Sequence, residues 1–189
     1  MELRTDGLRT KGRLLVASPM LGDPNFRRAV VLMIEHSPEG ALGVVLNRPT
    51  ENPVAHALPG WEAPATDPGV VFTGGPVEEG KVLALGVLQQ ARREPGWSGV
   101  VGRVGMVDLS SEPDDLEPVV EQVRFFSGYA GWGVGQLEGE IAEGAWIVLD
   151  ATEADALTTD PADLWHAVFR RQRGDLLWYA FYPDDPGLN

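Results

Sequence analysis

Residues 29–34 read Ala-Val-Val-Leu-Met-Ile, an unbroken apolar run with no polar face. A run of this length and β-branched content suits a strand covered on both sides. Glu35 and His36 end it, Ser37-Pro38-Glu39-Gly40 reads as a turn, and Leu42–Leu46 is apolar again. Two apolar runs joined by a short turn read as a β-hairpin. A buried hairpin this early commits the chain to a sheet with material packed on both faces. Further strands are expected at Leu14–Ala17, Val70–Thr73, Val82–Leu88, Val100–Val101, Val104–Val107 and Ala145–Leu149.

Helical spacing is rarer. Pro161 to Arg173 places Leu164, Trp165, Val168 and Phe169 on one face, with Asp160 as N-cap and Gly174 at the far end. Leu116, Val119, Val120 and Val123 repeat at helical spacing and predict a second helix over 116–123, although Pro118 disturbs its start. A third, short helix is expected over Gln136–Glu143. Strands and helices do not alternate strictly, so the fold class is α+β with a mainly antiparallel sheet. The 189 residues suit one domain, read as 12–189 behind a loose N-terminal arm of residues 1–11.

Charge and composition exclude several classes. The net charge of −13 disfavours direct binding to nucleic acid. The charge is uneven: residues 1–28 hold six Lys/Arg against three acids, and residues 108–163 hold fourteen acids against Arg124 alone. The asymmetry reads first as two solvated faces of opposite sign; alternatively the basic arm docks on an acidic face of a partner, or of a second copy in a homodimer. There is no cysteine, which removes disulfides and thiolate chemistry. No signal-peptide core and no membrane-length apolar run are seen, so a cytoplasmic address is expected. P-loop, nucleophile-elbow, zinc-protease and EF-hand motifs are missing, and no residue set calls for a metal or cofactor. His56 and His166 read as structural or surface residues.

Five segments have a composition that a plain core does not require. They are Gly12–Pro19 with Asp23-Pro24-Asn25-Phe26-Arg27-Arg28; Glu35-His36; Gly43-Val44-Val45-Leu46-Asn47-Arg48-Pro49; Phe72-Thr73-Gly74-Gly75-Pro76-Val77; and Gly128-Tyr129-Ala130-Gly131-Trp132-Gly133-Val134-Gly135-Gln136-Leu137-Glu138-Gly139-Glu140. In this order they closely resemble the YqgE/AlgH family of bacterial proteins. The resemblance runs from about Gly12 to Leu149, and the part after Asp150 departs from the family's pattern. It implies a curled, partly barrel-like sheet flanked by helices. It implies no settled activity; some family members are described as transcriptional regulators.

Several residues in these segments carry chemistry. His36 can act as a general base oriented by Glu35 or Asp108, or it can tie down its turn. Asn47 should come close to His36 across the ends of the hairpin. Asn47 and Arg48 can grip a carboxylate or phosphate, or Asn47-Arg48-Pro49 can form an Asx-type turn with Arg48 on the surface. Gly74 and Gly75 can offer backbone N–H groups to an anion or form a plain tight turn. Trp132 can stack on a ligand or fill the core, with Gln136 beside it. Glu138 and Glu140 can work as paired carboxylates or sit on a solvated helix. The leading expectation is a binding or accessory protein with an unknown protein or small-molecule partner. The alternatives are a small hydrolase using His36, Asn47, Glu138 and Glu140, and a transcriptional regulator that acts indirectly.

Overall fold

The computed structural model describes residues 9–90, 97–116 and 118–183. Ten strands form one sheet: β1 (Arg13–Ala17), β2 (Val30–Ser37), β3 (Gly40–Val45), β4 (Pro49–Pro53), β5 (Val70–Thr73), β6 (Val77–Leu88), β7 (Ser98–Val101), β8 (Val104–Met106), β9 (Val120–Trp132) and β10 (Trp146–Asp150). The helices are α1 (Val54–Ala57), α2 (Pro113–Leu116), α3 (Gln136–Ala142), α4 (Glu153–Ala156) and α5 (Leu164–Arg170), followed by a 3-10 segment over Gly174–Phe181. Among the described residues no helix is long and apolar enough to cross a membrane.

The main strand order is β10-β1-β2-β3-β9-β6-β8-β7, with β4 and β5 branching from β9. Every pairing between these strands is antiparallel except β5 with β9. The α+β, mainly antiparallel expectation therefore holds. Alternate residues of β1 explain why both faces are covered: Leu14 and Val16 join one apolar cluster, Leu15 and Ala17 another. The first cluster draws side chains from β1, β2, β3, β5, β6, β8, β9 and β10 and receives α5 through Leu164, Trp165, Val168 and Phe169. One cluster can reach so many strands because the sheet curls. The two ends of the path approach each other without pairing. Arg103, in the β7–β8 turn, bonds Glu153 just beyond β10 through its backbone N–H (2.7 Å) and its Nε (3.1 Å).

The helix expected over 116–123 is not there. Residues 113–116 form α2, and Val120 begins the long strand β9. Leu88 pairs with Val120 and Val87 with Gln122, so Glu121 is an extra residue in β9. A bulge of this kind resets the alternation of faces. It puts Val120 and Val123 in the same cluster, three residues apart, and so imitates a helical stripe. The last helix is shorter than expected, and Asp163 takes the N-cap position in place of Asp160. The arm expected over 1–11 is tied down at its inner end, where Thr10 is fully buried. Of the basic residues in the N-terminal region only Arg4 lies outside the described residues.

Gly74 and Gly75 lie against β9 with backbone touching backbone. The Gly74 N–H donates to Ser127 O (2.9 Å), and Gly74 O accepts from the Val45 N–H (2.8 Å). A Cβ on Gly75 would collide with the backbone of Tyr129 and Ala130. We expect Gly75→Ala to cost about 1–3 kcal/mol or more, the usual range for forcing atoms into a packed site. Urea denaturation checks this, and an unchanged midpoint would show that the strands can part there without cost.

Candidate functional site

The sequence singles out polar residues that the fold sorts into two separate places. The first surrounds His36, at the turn end of the β2–β3 hairpin. His36 pairs with Ala41, whereas Asn47 lies past the open end beside Val30. The expected approach of His36 and Asn47 therefore fails. In an antiparallel hairpin, residues near the turn and residues past the last rung lie at opposite ends.

His36 meets Glu138 instead, with Nε2 2.8 Å from Glu138 Oε1. Its Nδ1 faces the Thr10 hydroxyl (2.9 Å) and the Thr10 backbone N–H (3.3 Å). A backbone N–H can only donate, so Nδ1 is the acceptor and Nε2 carries the proton given to Glu138. The His36 side chain is 6% exposed. Both ring nitrogens are thus engaged, and the ring joins the N-terminal segment, β2 and α3. Glu35 is exposed, and Asp108 caps Ser110, so neither orients His36. The Glu138 carboxyl is held below the ordinary value of 4.5, first by its own backbone N–H and then by His36.

Glu140 does not work with Glu138. Its Oε2 accepts the indole N–H groups of Trp132 (2.9 Å) and Trp146 (2.8 Å), and its Oε1 accepts Gln136 Nε2 (3.0 Å). Trp132 is buried against Phe26 and Trp146, with ring centroids 6.3 and 5.9 Å away. Gln136 Oε1 in turn accepts the Gly133 N–H (3.1 Å) and closes the loop before α3. Trp132, Gln136 and Glu140 thus anchor α3 to the sheet. Among the described residues no three His, Asp or Glu side chains are grouped to hold a metal ion.

The second place is a cleft of about 480 Å³ where three of the five segments meet. Its polar lining is Asn25, Asn47, Arg48, Thr73, Gly75 and Glu79. Asn47 is a strut: its Oδ1 accepts the Val30 N–H (3.0 Å) and its Nδ2 donates to Arg28 O (2.8 Å). The Thr73 N–H donates to Arg48 O (2.8 Å), which fixes the turn to the end of β5. Arg48 is half-buried, and burial pulls its pKa below the ordinary arginine value. Its guanidinium donates through Nη2 to Arg27 O (2.5 Å), and among the described residues no carboxylate lies within 4.0 Å of it. Gly74 lies just behind this lining, and its N–H is spent on Ser127. Sequence reasoning missed Thr10, which sits in an unremarkable polar stretch. Asn25 and Thr73 fell inside quoted segments without being picked out.

A family model described as AlgH-like matches residues 14–177. The chain belongs to the AlgH-like family. The match continues past Asp150, so the departure expected there is overturned. A UPF0301 protein of Streptomyces coelicolor is 53% identical over 182 residues, covering 94% of each chain. Another, of Thermobifida fusca, is 45% identical over the whole of both chains. The crystal structure of a Corynebacterium diphtheriae protein is similar at TM-score 0.86 and 34% identity, over 92% of each chain. The solution structure of AlgH from Pseudomonas aeruginosa is similar at TM-score 0.66 and 26% identity, over 97% of this chain and 98% of that one.

The pH dependence of this AlgH-like fold should carry a mark of Glu138. A carboxyl whose folded pKa is lowered stabilises the fold above its unfolded pKa, and that stability fades as pH falls through the folded value. Glu138→Gln should therefore lower stability at neutral pH. The two denaturation curves should converge as pH drops below the ordinary value of 4.5. A gap independent of pH would remove the charge of Glu138 from the account.

Proposed function

We propose that this AlgH-like chain is a cytoplasmic, non-catalytic binding protein of accessory or regulatory type, and that it works through the cleft between the Asn-Arg-Pro and Gly-Gly-Pro turns. One observation carries the reading. The acid–base candidates His36, Glu138 and Glu140 are all engaged in bonds that hold the fold together, while Arg48 lines a cleft with no carboxylate within 4.0 Å among the described residues. A general base needs a lone pair within reach of substrate. The Nδ1 lone pair of His36 faces Thr10, and Nε2 faces Glu138.

A cleft of this volume falls within the range of about 300–1,000 Å³ typical of small-molecule sites. The net charge of −13 speaks against direct DNA binding, so any regulatory role runs through the ligand or another protein.

Native mass spectrometry on the tagged full chain, taken gently from its own host, tests this. The expected result is a retained small molecule, present equally in parent and His36→Gln protein. A turnover that His36→Ala abolishes while the fold persists would overturn the reading in favour of an enzyme.

A further inference from the structure

An arginine in water has no need of a particular counter-ion. Arg48 is different, because its guanidinium is half-buried at the wall of a cleft and has no carboxylate within 4.0 Å among the described residues. Removing a charge from water costs free energy unless an opposite charge or strong acceptors replace the water. Arg27 O supplies one acceptor to Nη2. A planar guanidinium has five N–H donors in a fork that matches a carboxylate.

Two neutral donors lie on the same cleft. The Thr73 hydroxyl and the Asn25 side-chain amide make no hydrogen bond among the described residues. The remaining wall is apolar: Pro24, Val45, Pro49 and Pro76. Glu79 brings one negative charge to the same lining and forms no ion pair with Arg48.

We infer that the cleft takes a small monocarboxylic acid with a compact apolar body, its carboxylate on Arg48, Thr73 and Asn25 and its body against the proline rings and Val45. The inference rests on the reading of the cleft as the binding place and gives that place a ligand class. The charge count selects the class. One guanidinium neutralises one carboxylate, and the pair leaves Glu79 in water. A phosphate monoester brings nearly two negative charges to a cleft that holds one arginine and one glutamate. Like charges brought together in this way raise the cost of binding.

The test is an NMR titration of 15N-labelled full-length chain with butyrate, methyl phosphate and butanol at fixed ionic strength. The signals to follow are the backbone amides of Asn25, Thr73 and Gly75 and the Arg48 Nε. Butyrate should shift them saturably, and methyl phosphate should bind more weakly. Arg48→Met should weaken butyrate by at least about tenfold, the scale of a lost hydrogen bond to a charged group. Arg48→Lys should fall between, since it keeps the charge without the fork. Glu79→Gln should narrow the gap between butyrate and methyl phosphate. Unchanged circular dichroism guards each variant against misfolding.

Methyl phosphate binding as tightly as butyrate, or butyrate shifts that survive Arg48→Met, would overturn the carboxylate assignment. If butanol or a neutral molecule recovered from the host moves these amides and butyrate does not, the carboxylate inference fails and the cleft reading stands. If neither butyrate nor any recovered molecule moves them, both fail.

Discussion

The strand Val120–Trp132 must satisfy its backbone along thirteen residues, and the rest of the chain is arranged to let it. An unpaired N–H or C=O in a buried strand costs about as much as a lost hydrogen bond. No single neighbour runs the whole length. β6 covers the first part, β3 takes Ala130–Trp132 on one side, and β5 pairs in parallel with Phe126 and Ser127. This division of partners makes one curled sheet out of two halves. It also explains the glycines: Gly74 and Gly75 approach the strand where a side chain would hold the backbones apart. Within the strand Arg124 is buried over the ring of Phe72 at 4.3 Å, with Nη1 donating to Thr158 O and Nη2 to Asp67 O. Burial lowers the pKa of that guanidinium to about 10.

Much of this was legible from residue order. The apolar runs at 29–34 and 145–149 became strands and 37–40 became the turn between β2 and β3, because continuous burial on two faces leaves the same mark wherever it occurs. The short helix after Gly135 was also legible. Residues 116–123 were not, since the bulge at Glu121 reproduces the three-residue spacing of a helix within extended chain. The curl itself left no local mark. It depends on contacts between distant segments, such as Arg103 with Glu153, that no spacing rule predicts.

The polar residues were recognised as unusual, but their grouping was not. His36 and Asn47 are eleven positions apart on one hairpin, yet they face opposite ends of it. Glu138 reaches His36 only because α3 folds back over the hairpin, a tertiary fact. Thr10 gave no signal at all, being one polar residue in a polar arm. Conversely, Arg48 and the Gly-Gly-Pro turn are distant in sequence and share a cleft because β3 leads out beside the end of β5. The same family of residues therefore does two jobs: some fasten the N-terminal segment and α3 to the sheet, and others line a cavity with a cation on its wall.

The account turns on His36 being a fastening and not a base. The most direct measurement is the 15N chemical shift of its two ring nitrogens, with their proton couplings, in the neutral imidazole. The account predicts a proton fixed on Nε2 and an unprotonated Nδ1 accepting from Thr10. A ring protonated on Nδ1, with the Nε2 lone pair open to solvent, would contradict it and return His36 to the active-site candidates.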